Sequence, residues 1–175
     1  MIAMLLAAVL NCGSAANQVD LDICAQNDQI RADAAERAAV LAGPARARAT
    51  EALWQTERKE TCEYYYQSYA GGSIAPMLYS QCLANSARGR TRDLRGLRVG
   101  FTVTHPERAI AEQDRVYGLL ELQLDARNRG LLATSQDAWL RYRDALCGGN
   151  LACLGQASAT RTQELEDSWL AERFW

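Results

Sequence analysis

Histidine and lysine each occur once in this chain of 175 residues, phenylalanine twice and proline three times. The single histidine, His105, precedes Pro106. A lone histidine in such a position is ordinarily solvated, which leaves little material for a histidine-based triad or a histidine-ligated metal. Scarce proline, with abundant Ala, Leu, Arg, Glu and Gln, favours helix over strand. No apolar run reaches the ~20 residues that a bilayer-spanning helix needs. The formal net charge is only −2, so the chain has no general attraction for nucleic acid or an anionic membrane. GxSxG, P-loop and GxGxxG patterns are missing as well. The expectation is a protein that is not an enzyme and uses neither cofactor nor metal.

The remaining composition is that of a soluble globular protein, 49% hydrophobic and 23% charged. Residues 1–98 carry 11 basic and 10 acidic groups, residues 99–175 carry 8 and 11. Six cysteines in so small a chain suggest an oxidising compartment. The first ten residues, MIAMLLAAVL, are apolar and of signal-peptide length, although they lack a basic start. Cleavage after GSA, before Ala16, would remove Cys12, and VLNC is a poor lipobox because Asn11 stands where a small residue belongs. The expected location is periplasmic or secreted.

The chain repeats itself. ALWQTERKETC (52–62) lies over DAWLRYRDALC (137–147), matching Trp54 with Trp139, Arg58 with Arg143 and Cys62 with Cys147. CLANSARGRTRDL (82–94) lies over CLGQASATRTQEL (153–165), pairing Arg90 with Arg161 in a shared C-L-x6-R-T-x-[D/E]-L pattern. Two matched blocks in one order indicate a tandem duplication. The expected organisation is an apolar segment at 1–10, one helical unit at 11–98, a linker at 99–105 and a second unit at 106–175. The first copy holds 19 residues between its paired blocks' cysteines and the second only five, so the first carries an insertion of 14.

Helical punctuation fills in both copies. In the first, helices are expected over 18–41, 45–69 and 74–95, with Gly43 and Pro44 as a break. The second opens at Thr104, Pro106 and Glu107 in a capping-box arrangement, followed by Ile110, Tyr117, Leu120 and Leu124 at helical spacing. Asp125 is a plausible cap for the next helix, on which Leu132, Trp139 and Leu146 recur every seven residues, and Gly148 ends it. Leu154, Ala157, Arg161, Leu165 and Trp169 line the last. Residues 101–103 look extended but are too few for a sheet. The fold class is all-α: two tandem three-helix units, each a small bundle that needs a staple.

EYYYQSYAGGSIAPMLYSQC (63–82) holds five of the seven tyrosines. Tyr64, Tyr65, Tyr66 and Tyr69 point around a whole helical turn, so one core cannot take them all. Tyrosine also suits binding surfaces, which makes these four, with Ser73, the candidate contacts for a protein partner. The bland alternative buries two of them, Tyr65 and Tyr69, beneath the loop and leaves the rest merely exposed. In RGRTRDLRGLR (88–98) the face of Arg88, Arg92 and Arg95 reads as solvated surface, with a phosphate or glycan-acid site as the sharper alternative. Arg58, Arg90, Arg143 and Arg161 read as structural, pairing with carboxylates or helix-end carbonyls. Trp54 and Trp139 read as core anchors.

Three segments resemble the LprI-type lysozyme-inhibitor family: NCGSAANQVDLDICA near the start, GGSIAPMLYSQCL in the first copy, and the W-L-x-Y-R-D-x-x-C and C-L-x6-R-T halves of the second. Six cysteines allow fifteen connectivities. With Cys12 as the family's first cysteine, the resemblance implies local pairs: Cys12 with Cys24, Cys62 with Cys82 and Cys147 with Cys153. Closing the middle loop would contribute roughly 3 kcal/mol on a chain-entropy view. The family's name further implies an envelope protein whose partner is lysozyme. The alternative is a non-inhibitory structural or adaptor module for another envelope component.

Overall fold

The computed structural model describes residue 12 and residues 15–67, 69–95 and 103–173, with the backbone alone over 168–173. The apolar start, most of the linker and the side chain of Trp169 lie outside the described residues. Seven helices and no strand occur among those residues: α1 (Gln18–Ala42), α2 (Ala45–Ala49), α3 (Glu51–Gln67), α4 (Ala75–Leu94), α5 (Pro106–Glu121), α6 (Ala126–Cys147) and α7 (Leu151–Arg173). The protein is all-α, and three disulfides join Cys12 to Cys24, Cys62 to Cys82 and Cys147 to Cys153.

Local chemistry explains several boundaries. Asn17 starts α1 by accepting the Asp20 amide at 3.0 Å, and Asp125 starts α6 by accepting that of Asn128 at 2.8 Å. These caps satisfy amides that the first turn leaves without a helical partner. Gly148 closes α6 in the left-handed region, φ 55°, and donates its amide to Asp144 O, as a glycine cap does.

Three boundaries differ from the sequence expectation. The segment expected as one helix over 45–69 is two, divided at the buried Thr50, whose backbone takes φ −100° and ψ 4° while its hydroxyl donates to Arg46 O at 3.0 Å. The second piece ends at Gln67, ahead of a turn in which Gly71 takes φ 88°. Helix α5 has His105 at its cap position, with no side-chain cap bond, so Thr104 lies one residue outside. The buried line of α7 is also shifted, to Gly155, Ser158, Arg161 and Leu165, leaving Leu154 and Ala157 half-buried.

Helix α1 lies along α4, α5 along α7, and α3 along α6. The last pairing differs from a picture of two separate bundles, since α3 packs more extensively on α6 than on its disulfide partner α4. Both hydrophobic clusters accordingly mix the halves of the chain. One joins Tyr64 to Val116, Leu120, Leu132 and Leu165; the other joins Ala32, Trp54, Ala84 and Ala87, with Tyr142 packed against it.

The α5–α7 contact depends on a missing side chain. A Cβ at Gly155 would stand 2.4 Å from Pro106 Cβ and 2.5 Å from its Cα, whereas one at Gly130 would meet nothing within 4 Å. Gly155→Ala should therefore lower stability by about 1–3 kcal/mol through overpacking. Gly130→Ala, inside α6, should raise it by about 0.5–1 kcal/mol. Urea unfolding of both variants checks this, and equal signs for the two changes would contradict it.

Candidate functional site

The four arginines matched between the blocks are arranged around the two matched tryptophans. The Arg58 and Arg90 guanidinium carbons lie 5.3 and 4.5 Å from the Trp54 ring centre. Those of Arg143 and Arg161 lie 4.9 and 5.8 Å from that of Trp139. Each indole thus carries two cations within cation–π range. Arg58 donates to Leu83 O at 3.1 and 2.8 Å and to Asp33 at 2.6 Å, tying α3 to α4 and α1. Arg143 pairs with Asp144 at 2.7 Å.

Arg90 is buried and engaged through all three of its nitrogens. It donates to Glu36 at 3.0 Å, Glu51 at 2.9 Å, Ala47 O at 3.2 Å and the Tyr142 hydroxyl at 2.6 Å. Burial, then the charge of Glu51, pushes the Glu36 carboxyl up against the pull of Arg90. Burial likewise pushes the Tyr142 phenol up to about 12, so it meets Arg90 as a neutral hydroxyl.

Arg161, 1% exposed, is met differently. It donates to Ser135 Oγ at 2.7 Å, Thr61 Oγ1 at 3.3 Å and Glu164 at 3.2 Å, with Glu57 3.9 Å away. Thr61 and Ser135 are themselves 2.8 Å apart. Glu57 and Tyr142 each follow their tryptophan by three residues. Each reaches across the α3–α6 contact to the arginine of the other half. The two reaches are reciprocal.

The tyrosine candidates divide. Tyr64 is 2% exposed and belongs to the cluster formed with α5, α6 and α7. The Tyr65 ring lies 5.4 Å from that of Tyr64, and its hydroxyl donates to Glu164 O at 3.0 Å. These two therefore fasten the end of α3 to the second half of the chain, and Tyr64 is not a surface contact. Tyr66 and Tyr69 are half-buried, and Ser73 is exposed on the turn that follows. The Tyr66 ring packs edge-on against Tyr79 at 5.5 Å.

Tyr79 joins this group although the sequence pattern does not single it out. Its one sequence signal is its place in the same tyrosine-rich stretch, three residues before Cys82. Burial, then the charge of Glu63, raises its phenol. The base of the turn is further held by Gln67, which donates to Glu63 at 2.9 Å and accepts from Arg127 at 2.6 Å. The structure thus assembles Tyr66, Tyr69, Tyr79 and the turn with Ser73 at one end of α3 and α4, in front of the Cys62–Cys82 bridge. Among the described residues no group of three His, Cys, Asp or Glu could hold a metal ion.

Comparison with known proteins adds a family. A family model described as "Lysozyme inhibitor LprI" matches residues 11–94. A protein of Rhizobium meliloti strain 1021, described as uncharacterized, is 37% identical over 108 residues, covering 50% of this chain and 78% of that one. No solved structure matches.

Glu57 gives the buried network a measurable signature. Burial, outweighing the attraction of Arg161, pushes its carboxyl up to about 7 from an ordinary 4.5. Between those values the native state keeps a proton that the unfolded chain has already released, so this group's contribution falls as pH rises through the window. The loss approaches roughly 3 kcal/mol by pH 8 at ~1.4 kcal/mol per pH unit. Glu57→Gln, which cannot ionise, should remove most of that pH dependence. Urea unfolding at pH 4.5 and pH 8 tests it; an unchanged difference between the two pH values would rule Glu57 out as the source.

Proposed function

The chain belongs to the LprI lysozyme inhibitor family, and on that premise we propose that it is an exported envelope protein that binds and inhibits lysozyme. The observation that carries this reading is the family match over 11–94, the part of the chain with the Cys62–Cys82 bridge and the tyrosine-bearing turn. Three disulfides support an oxidising, extracytoplasmic setting. Among the described residues no helix is long and apolar enough to cross a membrane.

The contact surface proposed for lysozyme is Tyr66, Tyr69, Tyr79 and the turn around Ser73. Its tyrosines offer large, rigid, amphipathic area at small entropic cost. The disulfide at its base and the Tyr64–Tyr65 fastening behind it reduce the ordering that binding would otherwise require. A projecting turn of this kind suits a concave cleft.

We also read the chain as two units, 11–98 and 106–175, derived by duplication. The recurring disulfide between matched helices, the paired arginine-flanked tryptophans and the reciprocal reach of Glu57 and Tyr142 support that reading. On this view the second unit buttresses the first, since it supplies the floor on which Tyr64 and Tyr65 rest.

Lysozyme activity titrated with the purified, oxidised protein tests the function. The full chain should inhibit saturably. A Tyr66→Ser, Tyr69→Ser variant should need roughly tenfold more protein, about 1.4 kcal/mol of binding, while its unfolding midpoint stays near that of the parent. Undiminished inhibition by the variant would move the site elsewhere. Lysozyme unaffected by either protein would overturn the inhibitor reading in favour of an adaptor that binds another envelope component.

A further inference from the structure

The fold splits the arginine run at 88–98 by direction. Arg90 turns inward to its carboxylates, whereas Arg88 and Arg92 line an open groove of about 480 Å³ between α1 and α4. Ala32, Ala35, Asn85 and Thr91 complete its lining. Thr91 is buried and commits its hydroxyl to Ala87 O at 2.8 Å, and the two alanines leave room above the floor. None of these lining residues is acidic.

Arg88 donates to Asn85 Oδ1 at 2.9 Å and pairs with Asp28, which also takes Arg31 at 3.5 Å. Chiefly through Arg88, these cations hold the Asp28 carboxyl below its ordinary value. One carboxylate therefore answers Arg31 and Arg88 together. Arg92 is exposed and has no ion pair or hydrogen bond with any described residue. In the second half of the chain the places of Arg88 and Arg92 are taken by Ala159 and Gln163. The shared helical plan does not demand these cations.

A guanidinium presents its N–H groups as a planar fork that matches two oxygens of an oxyanion, and it is more weakly hydrated than an ammonium. The uncommitted Arg92 fork, with Arg88 beside it shared with Asp28 and Asn85, stands over a floor of small residues, and two cations against one carboxylate suit a tetrahedral anion better than a cationic or apolar ligand. We propose that the α1–α4 groove is a binding site for a phosphate group, monoester or diester, gripped by Arg92 and Arg88. The phosphate could belong to a soluble compound or to a lipid headgroup, which share this chemistry. The site lies apart from the tyrosine turn and does not rest on the lysozyme reading.

Arginine side-chain NMR of the full chain, titrated with inorganic phosphate against chloride at matched ionic strength, tests the proposal. Phosphate should shift the Arg92 and Arg88 Nε–H signals saturably. Arg92→Gln, a change at an exposed side chain, should weaken the apparent affinity at least fivefold, and Arg115→Gln, on α5, should leave it unchanged. Co-sedimentation with phosphatidylglycerol vesicles but not phosphatidylcholine vesicles, lost in Arg92→Gln, would assign the phosphate to a headgroup. A phosphate response without vesicle binding would assign it to a soluble ligand. Signals that move no more with phosphate than with chloride, or equal weakening by Arg115→Gln, would overturn the proposal.

Discussion

Burying a guanidinium is the constraint around which this molecule is organised. Arg90 and Arg161 are almost wholly removed from water, and an uncompensated buried charge costs several kcal/mol. Each must therefore be met by oxygens from several helices at once. Around Arg90 these come from α1, α2, α3 and α6, and around Arg161 from α3, α6 and α7. No single helical hairpin can supply such a set. Breaking one such cluster by removing a partner should cost more than a surface ion pair such as Arg115 with Glu112, whose exposure leaves it nearly fully screened.

The two arginines are compensated unequally, and the inequality joins the halves. Arg90 finds carboxylates within the first half and takes only a neutral hydroxyl from the second. Arg161 has Glu164 nearby but also draws on Glu57 from across α3. The packing of α3 on α6 thus also sets the Glu57 carboxyl of α3 beside the Arg161 guanidinium of α7, and Tyr64 extends that packing into the cluster with Leu120, Leu132 and Leu165. The same contact leaves Tyr66, Tyr69 and Tyr79 beside a braced turn.

Periodicity and capping residues make the helices legible. Gly43, Asp125 and Gly148 mark ends through chemistry confined to a few neighbouring residues. The structural role of the four matched arginines is legible too, because a charge that recurs at the same position of both matched stretches points to a fixed place inside the shared plan. What escapes the sequence is set by distant partners. The break at Thr50 interrupts a helix that its neighbours favour, and the burial of that residue depends on packing elsewhere. Nothing local says that Tyr64 faces inward while Tyr66 does not, since that choice is made by α5, α6 and α7. Tyr79 stands alone rather than in a run, and only the fold sets it against Tyr66.

The turn between α3 and α4 is clamped at both ends. Behind it are the Cys62–Cys82 bridge and the seats of Tyr64 and Tyr65; ahead of it, Pro76 opens α4. Little between Tyr69 and Ile74 enters either hydrophobic cluster. A segment so isolated from the core can change its length and side chains while the arginine clusters and the helix contacts stay as they are. Change there would spare the framework, much as an exchangeable tip serves a fixed handle.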